Sequence, residues 1–569
     1  MGKHRLTGSL DGDKNVIKNK LNHSTDLIER PLRIGGRKDA VVFYMGGVTD
    51  TVIIHEYIIR PLMGILSPYT GFCGGEAGKV KPLSPIKKGF SSLFKERFFG
   101  GFDEKKQKGK ASDRIKEKSP DGKEQEDDRY ATQDGDDGTG RNGGEYNVEQ
   151  DGKSEFISYL MENIIGAGEL KTEADIDLLC SALIYGDCII LIEGETAAIC
   201  AACKKWDKRA IAEPPTSAVL RGPREGFTED FKANTVQLRR ILRTPDFIIK
   251  QIQIGRYTNT HVAVAYIKGI ADESIADKVI KRLEMIDIDG IIDSYYIQHF
   301  LEQKKNSVFK QVNNSEKPDI VAARLLEGRI AVLVDGSPIV LTLPYMFLED
   351  LQSSQDYYNR KEQGTFSVIV RSFALVIGMI LPGYYVAIQA FHYDIISIKM
   401  LSMLTNAIQS TPLPPLQEMI LVSILFIIIY DASLRMPRYV GMAVSIVGAL
   451  VLGDTAVKAG LISSPSVLIA AVSTLSSQLV PEQVGLTNIL RLGFLLIGGL
   501  MGVFGIIAGA MLLLAHMTSL DSYGTPFLAP FSPLIKADLK DAFIKEDLGN
   551  MKTRPYAIPG TNKTRINDE

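Results

Sequence analysis

The chain has 569 residues, with 65 Lys and Arg against 67 Asp and Glu and a formal net charge of −2. That length exceeds one ordinary soluble core and asks for two or more domains, while the balanced charge lacks the basic excess of a nucleic-acid-binding surface. The hydrophobic share of 45% hides an uneven distribution: charged residues crowd the first third, and long charge-free runs crowd Phe366 to Leu520.

Residues 1–36 read as a polar, loosely ordered lead without an apolar signal-peptide core. Leu6 stands where a myristoylation pattern asks for Ser or Thr, so the soluble part is expected in the cytoplasm. A first piece of a soluble α/β region follows over 37–73, where AVVFYMGGVTDTVIIHEYIIRPLM reads as a buried strand, a Gly-Gly turn and a helix capped by Asp50. The stretch 74–152 then changes character, with 18 of the 30 residues from Gly101 to Tyr130 charged. It cannot bury enough apolar surface to offset its ordering entropy and is expected to be a disordered insertion, more a solvated linker than a nucleic-acid arm.

A soluble α/β domain is expected over 153–355. Helical spacing shows in Phe156, Tyr159, Leu160 and Ile164, and again in Ile176, Leu179 and Leu183. CIILIEGETAAIC (188–200) reads as a hairpin turning at Gly194-Glu195, and RIAVLVDGSPIVLTL (329–343) as a second one turning at Asp335-Gly336. Between them HVAVAYI (261–267) is a buried strand, and Ile275, Val279, Ile280 and Leu283 mark one face of the next helix. No glycine-rich phosphate loop follows any strand. The five cysteines make no regular framework, and the C-x-x-C of Cys200 and Cys203 has no second pair or nearby histidine to complete a zinc site, so small buried thiols are expected. Seven scattered histidines assemble no catalytic, metal or cofactor constellation, so neither an enzyme nor a cofactor is expected.

The membrane half spans 356–520. A hydrocarbon core about 30 Å thick asks for roughly 20 apolar residues per helix, and five apolar stretches follow one another: 366–391, 419–434, 440–453, 465–480 and 491–517. Lys and Arg near the ends of the spans place both termini inside, which requires an even number of crossings. Four full spans are therefore expected, with five or six crossings left open, 440–460 a re-entrant or broken element, Glu482 on the outer side and 521–569 a cytoplasmic tail.

Several polar residues stand out. Arg371, inside the first span, is expected to snorkel inward. Asp431 has either an ion pair with Arg435 or a pore role, and Asp454 and Lys458, one turn apart, either pair with each other or line a pore or gate. Gly498, Gly502, Gly505 and Gly509 fall on one face of the last span and permit close helix packing. In RGPREGF, the residues Arg221, Arg224 and Glu225 precede a helix with Thr228 as expected N-cap. They suit an anion site, a salt-bridge cluster with Glu213 or Glu229, or a domain or subunit contact.

The stretches EPPTSAVLRGPREGFTEDFKANTVQLRRIL (213–242), IDIDGIIDSYYIQHFLE (286–302), PDIVAARLLEGRIAVLVDGSPIVLTLPYMF (318–347) and SSQDYYNR (353–360) resemble the GerA family of spore germination proteins. LRMPRYVGMAVSIVGALVLGDTAVKAGLISSP (434–465) and SYGTPFLAPFSPLIKADLKDAFI (522–544) carry the same resemblance through the membrane half. It implies a soluble α/β N-terminal region of two small subdomains followed by an all-α multi-pass membrane domain. It also implies an A-type germinant-receptor subunit in the spore inner membrane, working with a transporter-like B and a lipoprotein-like C subunit. Such a subunit is expected to oligomerise around a gated ion path, with a stage V AF-like accessory or a non-conducting scaffold as the alternative. The sequence departs from the family where acids are usual in the second span: Ser423 and Ile427 stand there, with Asp431 near its end, and Asp454 replaces a common glutamine.

Overall fold

Strand segments that are apolar on both faces have to be covered on both faces, and the N-terminal half does this twice. The computed structural model describes residues 5–64, 154–204, 221–409 and 411–566; the expected insertion at 74–152, Cys73 and Glu213 lie outside them. Two five-stranded antiparallel sheets are present. The first has the order β1-β2-β4-β5-β3 from Leu27–Ile34 (β1), Lys38–Met45 (β2), Leu170–Glu173 (β3), Asp187–Ile192 (β4) and Ala198–Ala202 (β5). Helices 51–63 and Glu155–Asn163 cover one face, and Leu10–Lys20 and Ile176–Tyr185 cover the other.

The second sheet, β6-β7-β9-β10-β8, uses Phe247–Ile254 (β6), Thr260–Ile267 (β7), Asn313–Ser315 (β8), Ile330–Val334 (β9) and Val340–Leu343 (β10). Helices Glu273–Glu284 and Ser294–Leu301 pack on one face, Phe231–Ile241 and Pro318–Leu326 on the other. Both expected hairpins are present, β4–β5 and β9–β10, with Gly194 and Gly336 at positive φ in their turns. Asp50 caps its helix through the amides of Val52 and Ile53. Arg239, almost fully buried, joins the two sheets by bonding Asp26 and Ser24.

The lead is not loose. Residues 10–20 form a helix and 27–34 an edge strand paired along its whole length with β2. Glu29, Arg30 and Arg33 are tolerated on that strand because it is the sheet's edge and only Leu32 and Ile34 are buried. The tail is not free either: Thr561 donates to the Ile270 carbonyl and Arg554 to that of Leu326, both in the second subdomain.

Among the described residues, three helices are long and apolar enough to cross a membrane: α1 (Lys361–Phe391), α2 (Pro415–Arg435) and the segment Pro481–Thr518. The near end of α1 touches the C-terminal tail, with Lys361 bonded to Asp547 at 2.9 Å, and its far end lies against Gly502. Helix α2 starts at the far side, where Leu416 meets Gly499, and returns to the near side. Helix α3 (Arg438–Leu450) continues as a π turn over Val451–Ala456 and runs back along α2, with Gly441 against Ser433 and Gly448 against Ile429. Helix α4 (Ser464–Gln478) comes back from a far-side start, where the Ser463 amide donates to Glu418 at 2.6 Å. The expected re-entrant element at 440–460 is therefore a traverse of the bundle.

The break lies elsewhere. Helix α5 (Val484–Thr518) would be about 52 Å long if straight, well beyond a hydrocarbon core of about 30 Å. At Gly502 the backbone takes φ 66° and ψ −155°, a conformation open almost only to glycine, and the chain doubles back. Gly505 and Gly509 consequently pack on Ile497 and Phe494 of their own hairpin, while Gly498 approaches the Gly383 carbonyl of α1. The four glycines are thus a turn and two different contacts, not one packing face. Six segments cross the bundle, and Glu482, expected on the outer side, sits 3.5 Å from Lys310 beside the α/β half.

A Cβ at Gly502 would also lie 2.9 Å from His392 Cε1. Gly502→Ala should cost about 1–3 kcal/mol and lower the apparent melting temperature of the detergent-purified chain. Gly485→Ala, in open space near the start of the same helix, should leave it unchanged.

Candidate functional site

The short turn Phe347–Leu351 stands between the second sheet and the helices, and it carries two adjacent buried carboxylates. Glu349 faces the sheet. It accepts bonds from Arg329, from Asn313 Nδ2 at 2.6 Å and from the Met346 amide at 2.7 Å, with Arg324 at 3.4 Å. Asp350 faces the helices: Tyr345 Oη lies at 2.8 Å and Lys310 at 3.0 Å, and Gln483, just before α5, donates to it. Burial alone would raise the Glu349 carboxyl, but Arg329 and Arg324, with hydrogen bonds from Arg329 and Asn313, outweigh it and hold it below the ordinary glutamate value.

A second tie lies seven residues on. Asp356 caps the helix Ser354–Tyr358 through the Ser353 amide and pairs with Arg371 of α1. Arg371 thus reaches back to the soluble half, and the carboxylate it meets belongs to the SSQDYYNR stretch.

Arg221, Arg224 and Glu225 lie in the loop before the helix Phe231–Ile241. Glu225 pairs with Arg240 of the following helix, and Gly222 lies against the Tyr358 ring, so this loop makes a contact within the chain. The cap of that helix is Asp230, whose carboxylate accepts from Lys232 N at 2.9 Å. Thr228 instead bonds Asn234 Oδ1, which moves the helix start downstream.

Asp431 pairs with Arg435 at 2.8 Å and Asp454 with Lys458 at 2.7 Å, each one helical turn away on its own helix. All four side chains are more than half exposed in the single chain. The two acids stay apart, on α2 and on the π turn after α3.

Two other charges occupy the bundle interior, and the sequence reading passed over both. Arg491 of α5 is only 1% exposed. Its guanidinium donates to the Gly378 carbonyl of α1 at 2.9 Å and, at the C-terminal turns of α4, to the Ser473 carbonyl at 3.2 Å, Thr474 Oγ1 at 3.2 Å and Ser477 Oγ at 3.1 Å. The negative end of that helix dipole and the carbonyls stand in for a counter-ion. Glu418 of α2 is likewise 1% exposed and accepts from the Ser463 amide at the start of α4. Val386, Met419, Val422, Ala470 and Leu495 form an apolar layer between the two charges. One Arg at the start of an apolar run and one Glu at the head of another were the available signals.

The four described cysteines are free and buried. Burial pushes the Cys180 thiol up to about 11 and that of Cys200 to about 12, so neither forms a thiolate at neutral pH.

The family described as Bacillus/Clostridium GerA spore germination protein matches residues 143–557. Spore germination protein KA of Bacillus subtilis (strain 168) is 35% identical over 411 residues, 72% of this chain and 76% of that one. An uncharacterized membrane protein, YfkQ, of the same organism is 34% identical, covering 69% of this chain and 77% of its own. Spore germination protein GerLA of Bacillus cereus is 31% identical, covering 72% and 83%. Among solved structures, the N-terminal domain of the A subunit of the Bacillus megaterium spore germinant receptor GerK3 aligns with 61% of this chain and 99% of that one, at 23% identity and a TM-score of 0.37.

The stability that Glu349 contributes is full above the ordinary glutamate value of 4.5 and is lost as the pH falls through its lower folded value. Hydrogen exchange of the amides at 345–351, taken relative to the intrinsic rate at each pH, should therefore quicken on acidification of the detergent-purified chain. Glu349→Gln should quicken it at neutral pH and flatten the pH dependence.

Proposed function

The chain belongs to the GerA family of spore germination proteins, and on that premise we propose that it is the A-type subunit of a receptor that couples nutrient sensing to ion release across the spore inner membrane. The observation that carries this reading is the joint at Glu349 and Asp350. One carboxylate grips the second sheet and the next one grips the residues that open α5. A displacement of the soluble half has a direct, buried, polar route into the bundle.

The ion path lies between copies of the chain in this reading. Asp431, Asp454 and Lys458 are exposed on the single bundle, so a path that uses them is enclosed only in an oligomer. Partners of the B and C type supply nutrient binding and anchoring. The α/β half and the tail face the spore core, because the basic tail residues Lys536, Lys540, Lys552 and Arg554 belong to that side.

A second reading, a non-conducting scaffold or a stage V AF-like accessory, draws on the local pairing of both acids. Each outward carboxylate already has a cation on the next turn, which leaves little net charge to draw ions.

Reconstitution separates the two. Liposomes holding the purified, oligomeric chain should pass monovalent cations, and Asp454→Asn should change their rate; tight liposomes despite correct assembly would favour the scaffold. Sidedness is read by labelling: cysteines introduced at Glu482 and at Tyr393, in the loop after α1, should react from opposite faces of the membrane.

A further inference from the structure

The far half of the bundle gathers buried oxygen atoms around a single carboxylate. Glu418 of α2 is shielded from solvent, and no Lys, Arg or His pairs with it among the described residues. Its Oε1 accepts the Ser463 amide, and Ser463 Oγ bonds Ser466 Oγ at 2.9 Å. Tyr385, on α1, brings its hydroxyl beside Ser466, Gln389 and Ser463 and within electrostatic range of Glu418. Three helices therefore converge on one spot: α1 with Tyr385 and Gln389, α2 with Glu418, and the head of α4 with the two serines.

Beyond the Ser463 amide on Glu418 and the serine pair, polar atoms there are left over. Tyr385 Oη lies close to Ser463, Ser466 and Gln389, yet neither it nor either amide atom of Gln389 has a partner at full hydrogen-bond geometry among the described residues. Near Arg491 the opposite holds, since its donors and the surrounding hydroxyls and carbonyls are matched. Buried polar atoms rarely stay unpaired, and a buried carboxylate without a counter-charge is costly. A cation takes the oxygen lone pairs and neutralises the carboxylate at once, leaving the Gln389 amide nitrogen to another acceptor.

The geometry points to a monovalent-cation site between α1, α2 and α4, in which Glu418 supplies the charge and Tyr385, Gln389, Ser463 and Ser466 supply neutral oxygens. One carboxylate balances one positive charge. A divalent ion would leave an uncompensated charge in the bundle, and sites for such ions are built with more carboxylates. Neutral hydroxyl and amide oxygens replace the water shell of an alkali ion, as carbonyls do in selectivity filters. Ser463 and its amide form one side of the site, and Tyr385 and Gln389, near the far end of α1, form the other.

This inference deepens the ion-release reading but rests on one chain, so the two can fail separately. A chain that binds cation and passes none in liposomes keeps the site and loses the path. Flux without saturable binding does the reverse.

The test uses the full-length chain purified in detergent, with radioactive rubidium and sodium as probes in equilibrium binding. Saturable binding is expected, undiminished by calcium at equal concentration. Glu418→Gln, which keeps an acceptor for the Ser463 amide, should abolish it, and Tyr385→Phe and Gln389→Leu should each weaken it by roughly tenfold. Asp287→Asn, in an exposed ion pair with Arg256, should bind as the parent does. Modification of Glu418 by a hydrophobic carbodiimide should be slowed by rubidium or sodium. Absence of saturable binding, binding that survives Glu418→Gln, preference for calcium, or carbodiimide labelling governed by pH alone (a protonated carboxyl) would each overturn the site. Should Glu418→Gln fail to fold, the Tyr385 and Gln389 variants carry the test.

Discussion

Two consecutive residues in one tight turn hold the halves of this chain together. Glu349 and Asp350 are both buried and both ionic, yet they look in opposite directions, one to Arg329 and Asn313, the other to Lys310 and Gln483. Breaking a buried ion pair from one side leaves the other charge stranded, which costs far more than the intact pair contributes. The second sheet and the start of α5 are therefore constrained to move as one. Asp356 and Arg371 repeat the device at the entrance of α1, so the soluble half holds the bundle at two separate helices.

The same rule governs the bundle interior with less slack. In lipid every backbone polar group has to be met inside the protein, and charges there need partners or a cavity. Arg491 meets this demand with carbonyls and hydroxyls at the C-terminal end of α4, and Glu418 meets part of it with the amide at the other end of the same helix. Each charge sits at the pole of α4 whose dipole favours it. Their attraction is spread along one helix, across an apolar layer, instead of being collapsed into a salt bridge.

What the residues declare in advance follows from how local the cause is. Hairpins at Gly194 and Asp335-Gly336, the strand AVVFYM, the strand HVAVAYI and the Asp50 cap are fixed by a few neighbouring side chains, and all were legible. The edge strand 27–34 was not, because its place at the sheet's edge admits the polar residues that make it look like a loop. Gly502 was read as packing because a glycine spaced at three and four residues from its fellows suits either a contact or a turn. Only the contact of Gly505 with Ile497, eight residues back in sequence, decides for the turn. Glu418 and Arg491 escaped for a related reason: a charge at the end of an apolar run looks like a boundary, and its burial depends on helices far away in sequence.

That hairpin has a structural consequence beyond its own packing. With an even number of traverses both ends of the bundle emerge on the side of the α/β half, so the chain leaves α5 where Tyr345 and Phe527 meet edge to face, 5.7 Å apart. From there the tail runs back to Ile270 and Leu326. The second subdomain is thus held at the entrance of the bundle by Asp356 and at its exit by the aromatic cluster around Phe527. A straight α5 would have carried the tail to the far side and left the sheet attached at one end only. Glycine at 502 is what lets a single soluble domain hold the first and the last helix together.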